Sequence, residues 1–232
     1  MCIRDREKSL LKLGLADILY REGKYKESLE MDYQVLELRK TAFGEKHVSS
    51  STLYRKLSSS YQMLGDIDKA TEYSKLNLEV TIKHFGPNSI KTAVPIFNLG
   101  IQYDNKGMYE EAEEHILRAI GILNKLDDKN LRLGYFYSGL GIMYINAKEY
   151  QKSVNALLKS KSLVLLNHDE NTFRMHRINV MLALAYSSLE DFDEAEKLLD
   201  LSYETFYKAL PDNMPGKHEF EELYDEVYGR KP

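Results

Sequence analysis

The chain has 232 residues, with 32 Lys and Arg against 36 Asp and Glu, for a net charge of −4. Its 43% hydrophobic content, with 17 Tyr and 8 Phe, excludes a disordered chain and supplies core for one domain or somewhat more. The mild acidic excess argues against nucleic-acid binding by the whole chain, 13 Gly and 5 Pro are too few for the turns of a large all-β fold, and the single Cys2 excludes an internal disulfide.

Residues 1–8 stand apart. The opening Met-Cys-Ile-Arg-Asp-Arg reads equally as a translated linker foreign to the chain or as an ordinary N-terminal extension. Arg4, Asp5, Arg6, Glu7 and Lys8 occupy the place where a signal peptide would be apolar. The uncharged window 133–147 falls short of the ~20 apolar residues of a membrane span and holds Gly, Ser and Asn. A cytoplasmic protein with no membrane partner is the expectation.

From residue 9 the chain repeats itself. Gly23-Lys-Tyr25-Lys-Glu-Ser28, Gly65-Asp-Ile67-Asp-Lys-Ala70 and Gly107-Met-Tyr109-Glu-Glu-Ala112 share one pattern, and Lys148-Glu-Tyr150-Gln-Lys-Ser153 and Glu190-Asp-Phe192-Asp-Glu-Ala195 keep it without the glycine. The apolar members, at 25, 67, 109, 150 and 192, are separated by 42, 42, 41 and 42 residues. Ten residues before each stands a leucine: Leu15, Leu57, Leu99, Leu140 and Leu182. A small residue follows it (Ala16, Ser58, Gly100, Gly141, Ala183), and three further on come Leu19, Tyr61, Tyr103, Tyr144 and Tyr186. Offsets of one and four share a helix face, so each unit predicts a helix, a tight turn and an antiparallel helix. The small slot admits a close neighbour. Leucine at Gly100 or Gly141 is expected to overpack it, while alanine is expected to be tolerated or stabilising, because a helical glycine costs ~1 kcal/mol relative to alanine.

Second helices are expected to stop at Phe43-Gly44 and at Phe85-Gly86-Pro87, since glycine after the last apolar turn ends a helix. The later loops, 127–130 and 168–172, keep the length without Phe-Gly. Pro95 leaves two readings open. Either its helix starts near Asn88 or Ser89 and is kinked, or it starts nearer Ala93. Near the end, Phe220, Leu223, Tyr224 and Val227 form an apolar stripe backed by Glu219, Glu221, Glu222, Asp225 and Glu226. Asp225 falls in the small-residue slot, which argues against a sixth repeat. Residues 208–232 therefore read as a linker and a C-terminal capping helix, while the terminal Gly229-Arg-Lys-Pro reads equally as the cut edge of a longer array.

These residues resemble the tetratricopeptide repeat over 9–207. The long period and the Phe43-Gly44-Glu-Lys-His47 loop are similar to the kinesin-light-chain type. The resemblance implies an all-α, right-handed superhelical solenoid of five helix-turn-helix repeats plus the capping helix. It also implies a concave groove lined by first helices and a convex back of second helices. By position the groove set is Asp17, Tyr20 and Arg21; Arg55, Ser59, Gln62 and Met63; Phe97, Asn98, Ile101 and Asn105; Tyr135, Ser138, Ile142 and Asn146; and Val180, Leu184 and Ser188. Arg21, Arg55, Gln62, Asn98, Asn105, Tyr135 and Asn146 are the candidate peptide-binding residues. Their guanidinium and amide groups suit a peptide's backbone and acidic side chains. Two specialised groove chemistries are incomplete. A carboxylate clamp for chaperone tails keeps only Asn98 and, loosely, Arg55; an asparagine ladder before the repeat leucine keeps only Asn98, with Gly14, Lys56, Gly139 and Met181 elsewhere.

Chemistry is sparse. The six histidines show no paired metal-ligand spacing, Glu110, Glu111, Glu113 and Glu114 read as a solvated helix face, and no phosphate loop or nucleophile elbow occurs. Neither catalytic residues nor cofactors nor metals are expected. The implied function is a non-catalytic protein-protein interaction scaffold that binds a peptide or partner protein, acidic in view of Arg55 beside Lys56, within a larger regulatory protein. A peptide-sensing regulatory module and the appended repeats of a larger enzyme, such as a kinase or protease, stay open.

Overall fold

A computed structural model describes residues 3–44, 46–125, 131–166, 172–203, 207–208 and 215–230. Cys2, the loop residues 127–130 and 168–171, and the expected linker at 209–214 lie outside it. The chain divides into two compact units, residues 1–122 and 123–232. The first contains α1 (Ile3–Arg21), α2 (Tyr25–Phe43), a short 3-10 turn (Val48–Ser50), α3 (Ser51–Met63), α4 (Ile67–Phe85), α5 (Ile90–Asn105) and nearly all of α6 (Tyr109–Asn124). The second contains α7 (Leu131–Asn146), α8 (Tyr150–Leu165), α9 (Phe173–Ser188), α10 (Phe192–Ser202) and α11 (Pro215–Arg230). No strand occurs among the described residues, and the fold is a helical repeat solenoid. The helix α1 runs on through residues 3–8.

The tight turns follow from one backbone device used five times. Gly23, Gly65 and Gly107 take φ of 76°, 78° and 71°, and Lys148 and Glu190 take 60° and 63° at the same register position. The next residue's N–H then returns to the carbonyl of the repeat's Leu or Tyr: Lys24 to Leu19 at 2.9 Å, Asp66 to Tyr61 at 3.0 Å, Met108 to Tyr103 at 2.9 Å, Glu149 to Tyr144 at 2.8 Å and Asp191 to Tyr186 at 3.0 Å. A left-handed residue that closes such a bond is what ends a helix cleanly. Asp66 and Asp191 then cap the second helices by accepting from the N–H of Lys69 and Glu194.

Helix pairs close on the small slot. Ser28 donates to the carbonyl of Ala16 at 2.9 Å, Ser153 to that of Gly141 at 2.8 Å, and, in reverse, Ser58 to that of Ala70 at 2.8 Å. The approach is closer than expected at the glycines. A Cβ on Gly100 would stand 2.8 Å from Ile116 Cγ1, and one on Gly141 would stand 2.5 Å from Leu157 Cγ. The expectation that alanine is tolerated there is corrected. The slot holds a hydrogen atom and not a methyl group, because a branched side chain of the paired helix already fills the space.

The helix α5 starts at Ile90, with Ser89 accepting from the Lys91 N–H at 3.3 Å and Thr92 donating to the Gly86 carbonyl at 2.7 Å. Pro95 therefore lies inside the helix and is buried, which decides between the two readings. One core cluster of the first unit joins Leu29, Val35 and Leu36 to Leu53, Tyr54, Leu57 and Val80. In the second unit, Val154, Leu157 and Val164 meet Met175, Ile178, Leu182 and Ala185. There α11 lays Phe220, Leu223 and Val227 against Val180, Ala183, Ala195 and Leu199. Its acidic residues Glu221, Glu222, Asp225 and Glu226 are exposed, as the stripe predicts.

Candidate functional site

The first unit holds a cleft of about 170 Å³ between α1 and α3, lined by Asp17, Tyr20, Ser28, Arg55, Lys56 and Ser59. Asp17 and Tyr20 are three apart on α1, and Arg55 and Ser59 four apart on α3, so each pair shares a helix face. Arg55 is exposed, and no ion pair holds its guanidinium among the described residues. Tyr20 packs edge-on against Tyr25, with centroids 5.2 Å apart. Burial raises its phenol above the ordinary value and Tyr25 adds to this, while the Arg55 charge opposes.

Lys56 is differently placed from its neighbour. Its ammonium lies 2.6 Å from Asp17 Oδ1 and 3.8 Å from Asp32 Oδ1. Asp32 comes from α2 and is 1% exposed, and neither of its carboxylate oxygens accepts a hydrogen bond. At 3.8 Å the Lys56 ammonium acts as a neighbouring charge and not as a donor. Burial pushes Asp32 up to about 6, opposed by Lys56 and Arg55 and assisted by Asp17. The cation pair Arg55-Lys56 is thus split: Lys56 is committed inward, and Arg55 faces solvent.

The other candidates are spread more widely. Arg21 is exposed at the end of α1. Gln62 accepts from Gln102 Nε2 at 2.9 Å, so part of its amide ties α3 to α5. Asn98 is half-buried on α5, and Asn105 is exposed at that helix's end. In the second unit, Tyr135 is exposed on α7, 6.2 Å from the Phe136 ring, and Asn146 is exposed at the end of α7. The structure brings Arg55 together with Asp17, Tyr20 and Ser59; it places the remaining candidates on first helices without joining them to that cleft.

Two residues assigned to the groove belong to the core. Phe97 is 1% exposed and Val180 is 8% exposed. They share one register position with Arg55 and Ser138. At this one position Arg55 is exposed, Ser138 half-buried, and Phe97 and Val180 buried, so the side chain decides its fate. Burying a Phe or Val gains ~1.5–3 kcal/mol, whereas a guanidinium stays in water. Asp32 escaped the sequence reading, although a signal existed: it stands four residues after Ser28 on a stripe shared with Leu29, Val35 and Leu36, where a carboxylate is out of place.

Among the described residues no group of three or more His, Cys, Asp or Glu is placed to hold a metal ion, and no helix is long and apolar enough to cross a membrane. A comparison with curated proteins finds no match. Many solved structures are similar. BtubC (BKLC) from P. vanneervenii is 19% identical over 94% of this chain and 80% of that one, with a TM-score of 0.68. A putative kinesin light chain of Podosopora anserina, with nearly identical repeats of this kind, is 19% identical over 88% of this chain and 99% of that one, with a TM-score of 0.69. A Rap protein complexed with competence and sporulation factor is 10% identical over 95% of this chain, with a TM-score of 0.72, and this chain spans 57% of its length. At such identities the likeness is one of fold. The family model of the tetratricopeptide repeat matches residues 8–80 and 51–125, and a second model of the same repeat matches 176–205. With five turns closed in one register and half of the sequence matched by one repeat model, the chain belongs to the tetratricopeptide-repeat family.

Proposed function

We propose that the chain is a non-catalytic protein-interaction scaffold that holds a peptide or partner segment along its first helices. The observation that carries this reading is the cleft between α1 and α3, where the Arg55 guanidinium stands exposed beside Asp17, Tyr20 and Ser59. Arg21, Gln62, Asn98 and Asn105 extend the same function along the first unit, and Tyr135 and Asn146 provide it in the second. Since Lys56 is engaged with Asp17, the preference for an acidic partner falls to Arg55. The Rap protein complexed with competence and sporulation factor favours a second reading, a regulatory module that senses a peptide.

A peptide array, followed by titration of the best binder, tests the proposal. A hydrogen bond to a charged group is worth ~1.5–3 kcal/mol, so Arg55→Ala is expected to weaken binding tenfold or more. Asn98→Ala should weaken it less, and Glu114→Ala on α6 should leave it unchanged. Affinity should fall with added salt, because an exposed guanidinium is screened. A binder indifferent to Arg55 and Asn98 but lost in Glu114→Ala places recognition on the second helices and ends this reading.

A further inference from the structure

Two charged groups beside the cleft of the first unit are poorly provided for. The Lys56 side chain is 15% exposed, yet its ammonium is buried and makes no hydrogen bond, even across the short contact with Asp17. Asp32, 3.8 Å away, accepts none either. A buried ammonium with unused donors is costly, so this corner favours an acceptor better placed than Asp17 or Asp32. The two carboxylates differ in freedom. Asp32 is held on α2 at 1% exposure, whereas Asp17 keeps 58% of its side chain in water. Asp17 can therefore leave Lys56 for solvent at little cost, and Asp32 cannot. At the position of Asp17 the later repeats carry Ser59, Ile101, Ile142 and Leu184, so the repeat itself does not require an acid there. Asp17, Lys56 and Arg55 line one cleft of about 170 Å³, room for a single acidic side chain.

We propose that Asp17 is a displaceable counter-ion, which holds Lys56 in the free chain and yields it to a carboxylate of the bound peptide. The inference rests on the groove reading above and deepens it. Arg55, exposed and without an ion pair among the described residues, receives the incoming carboxylate first. Asp17 then turns into solvent, and the ligand's oxygens take the ammonium of Lys56 together with the guanidinium of Arg55. One ion contact replaces another, so no buried cation is left bare. Asp17 thereby sets the cleft's selectivity. A neutral side chain in its place would strip Lys56 of a counter-ion, whereas an acidic one restores it.

The test uses the full chain with Asp32→Asn throughout, so that removing Lys56 leaves no buried carboxylate unpaired. Fluorescein-labelled hexaglutamate, blocked at both ends, is titrated by anisotropy against this background, against Asp17→Asn, against Lys56→Gln and against the two together. Asp17→Asn is expected to tighten binding about tenfold, because the ligand no longer competes for Lys56. Lys56→Gln should weaken binding, and adding Asp17→Asn to it should bring no gain. Blocked hexaglutamine should gain nothing from Asp17→Asn. The same pattern with hexaglutamine that ends in a free carboxylate supports the exchange and assigns it to a chain end. A gain from Asp17→Asn that persists without Lys56 overturns the proposal, since Asp17 then only repels the ligand at Arg55. An affinity that Asp17→Asn leaves unchanged or lowers overturns it too. Arg55→Ala separates the two readings. Binding that ignores Arg55, or no binding in any variant, ends the groove reading as well, whereas binding that needs Arg55 but gains nothing from Asp17→Asn ends this inference alone.

Discussion

Gly141 and Lys148 are seven residues apart and break opposite rules of helix chemistry. Gly141 is a glycine where helix propensity favours alanine, yet a methyl group there would meet Leu157 at 2.5 Å. Overpacking costs ~1–3 kcal/mol and the gain in propensity returns ~1 kcal/mol, so Gly141→Ala is expected to lower stability by about 1 kcal/mol. A thermal melt that rises in this variant would show that Leu157 moves aside at little cost. Lys148 is a side-chain-bearing residue where the turn calls for glycine. Its φ of 60° carries a steric cost of ~1–2 kcal/mol, offset in Lys148→Gly by the ~0.5–1 kcal/mol of extra chain entropy that glycine loses on folding. A gain of up to about 1 kcal/mol is expected for Lys148→Gly, read as a higher urea midpoint. The same change at Glu190 should act in the same direction.

Between helices, polar side chains do some of the joining. Tyr33 on α2 shares its hydroxyl with Tyr61 on α3 at 2.8 Å and with Tyr73 on α4 at 2.7 Å, and the Tyr61 and Tyr73 rings stack at 5.7 Å. One phenol thus links three successive helices. Partial burial and the two bonds raise its pKa far above the ordinary phenol value, so it is neutral at any working pH. Tyr33→Phe removes both part-buried bonds, each worth ~0.5–1.5 kcal/mol net, and is expected to cost ~1–3 kcal/mol. Tyr73→Phe, which removes one of those bonds, should cost about half as much, and the double variant less than the sum, because both single changes remove the Tyr33–Tyr73 bond. Strict additivity in urea unfolding would show that Tyr33 and Tyr73 do not interact. The register position shared by Arg55, Phe97, Ser138 and Val180 teaches the complementary point. A register slot sets where a side chain starts, and burial energy sets where it ends.

Across the molecule as a whole, Asp32 makes stability depend on pH. It titrates at an ordinary 3.8 when unfolded and at about 6 when folded. Between those values the folded chain keeps a proton that the unfolded chain has released, so this contribution to stability is complete below the window and is lost as pH rises through it. Asp32→Asn removes the loss and leaves Lys56 paired with Asp17. The urea midpoint of the variant, relative to wild type, should therefore climb from about pH 4 to about pH 6 and then level off. A difference that is flat across that window would mean that Asp32 ionises normally.

The repeat is legible in the amino acids alone. Leu15, Ala16 and Leu19, and their four later counterparts, encode helix faces through spacings of one and four, and glycine at 23, 65 and 107 encodes the turns. These are local rules that act within a few residues, so they survive without knowledge of any neighbour. The amphipathic helix α11 was readable for the same reason. The state of each polar or small side chain at a helix contact was settled only by packing. Lys56 is spent on Asp17 and Asp32, part of Gln62 on Gln102, and the space at Gly141 on Leu157. Each of those outcomes depends on a residue 16 to 40 positions away in sequence, brought close by helix packing. Spacing within one helix carries no record of such distances, so the groove's chemistry emerged only when the helices were set side by side.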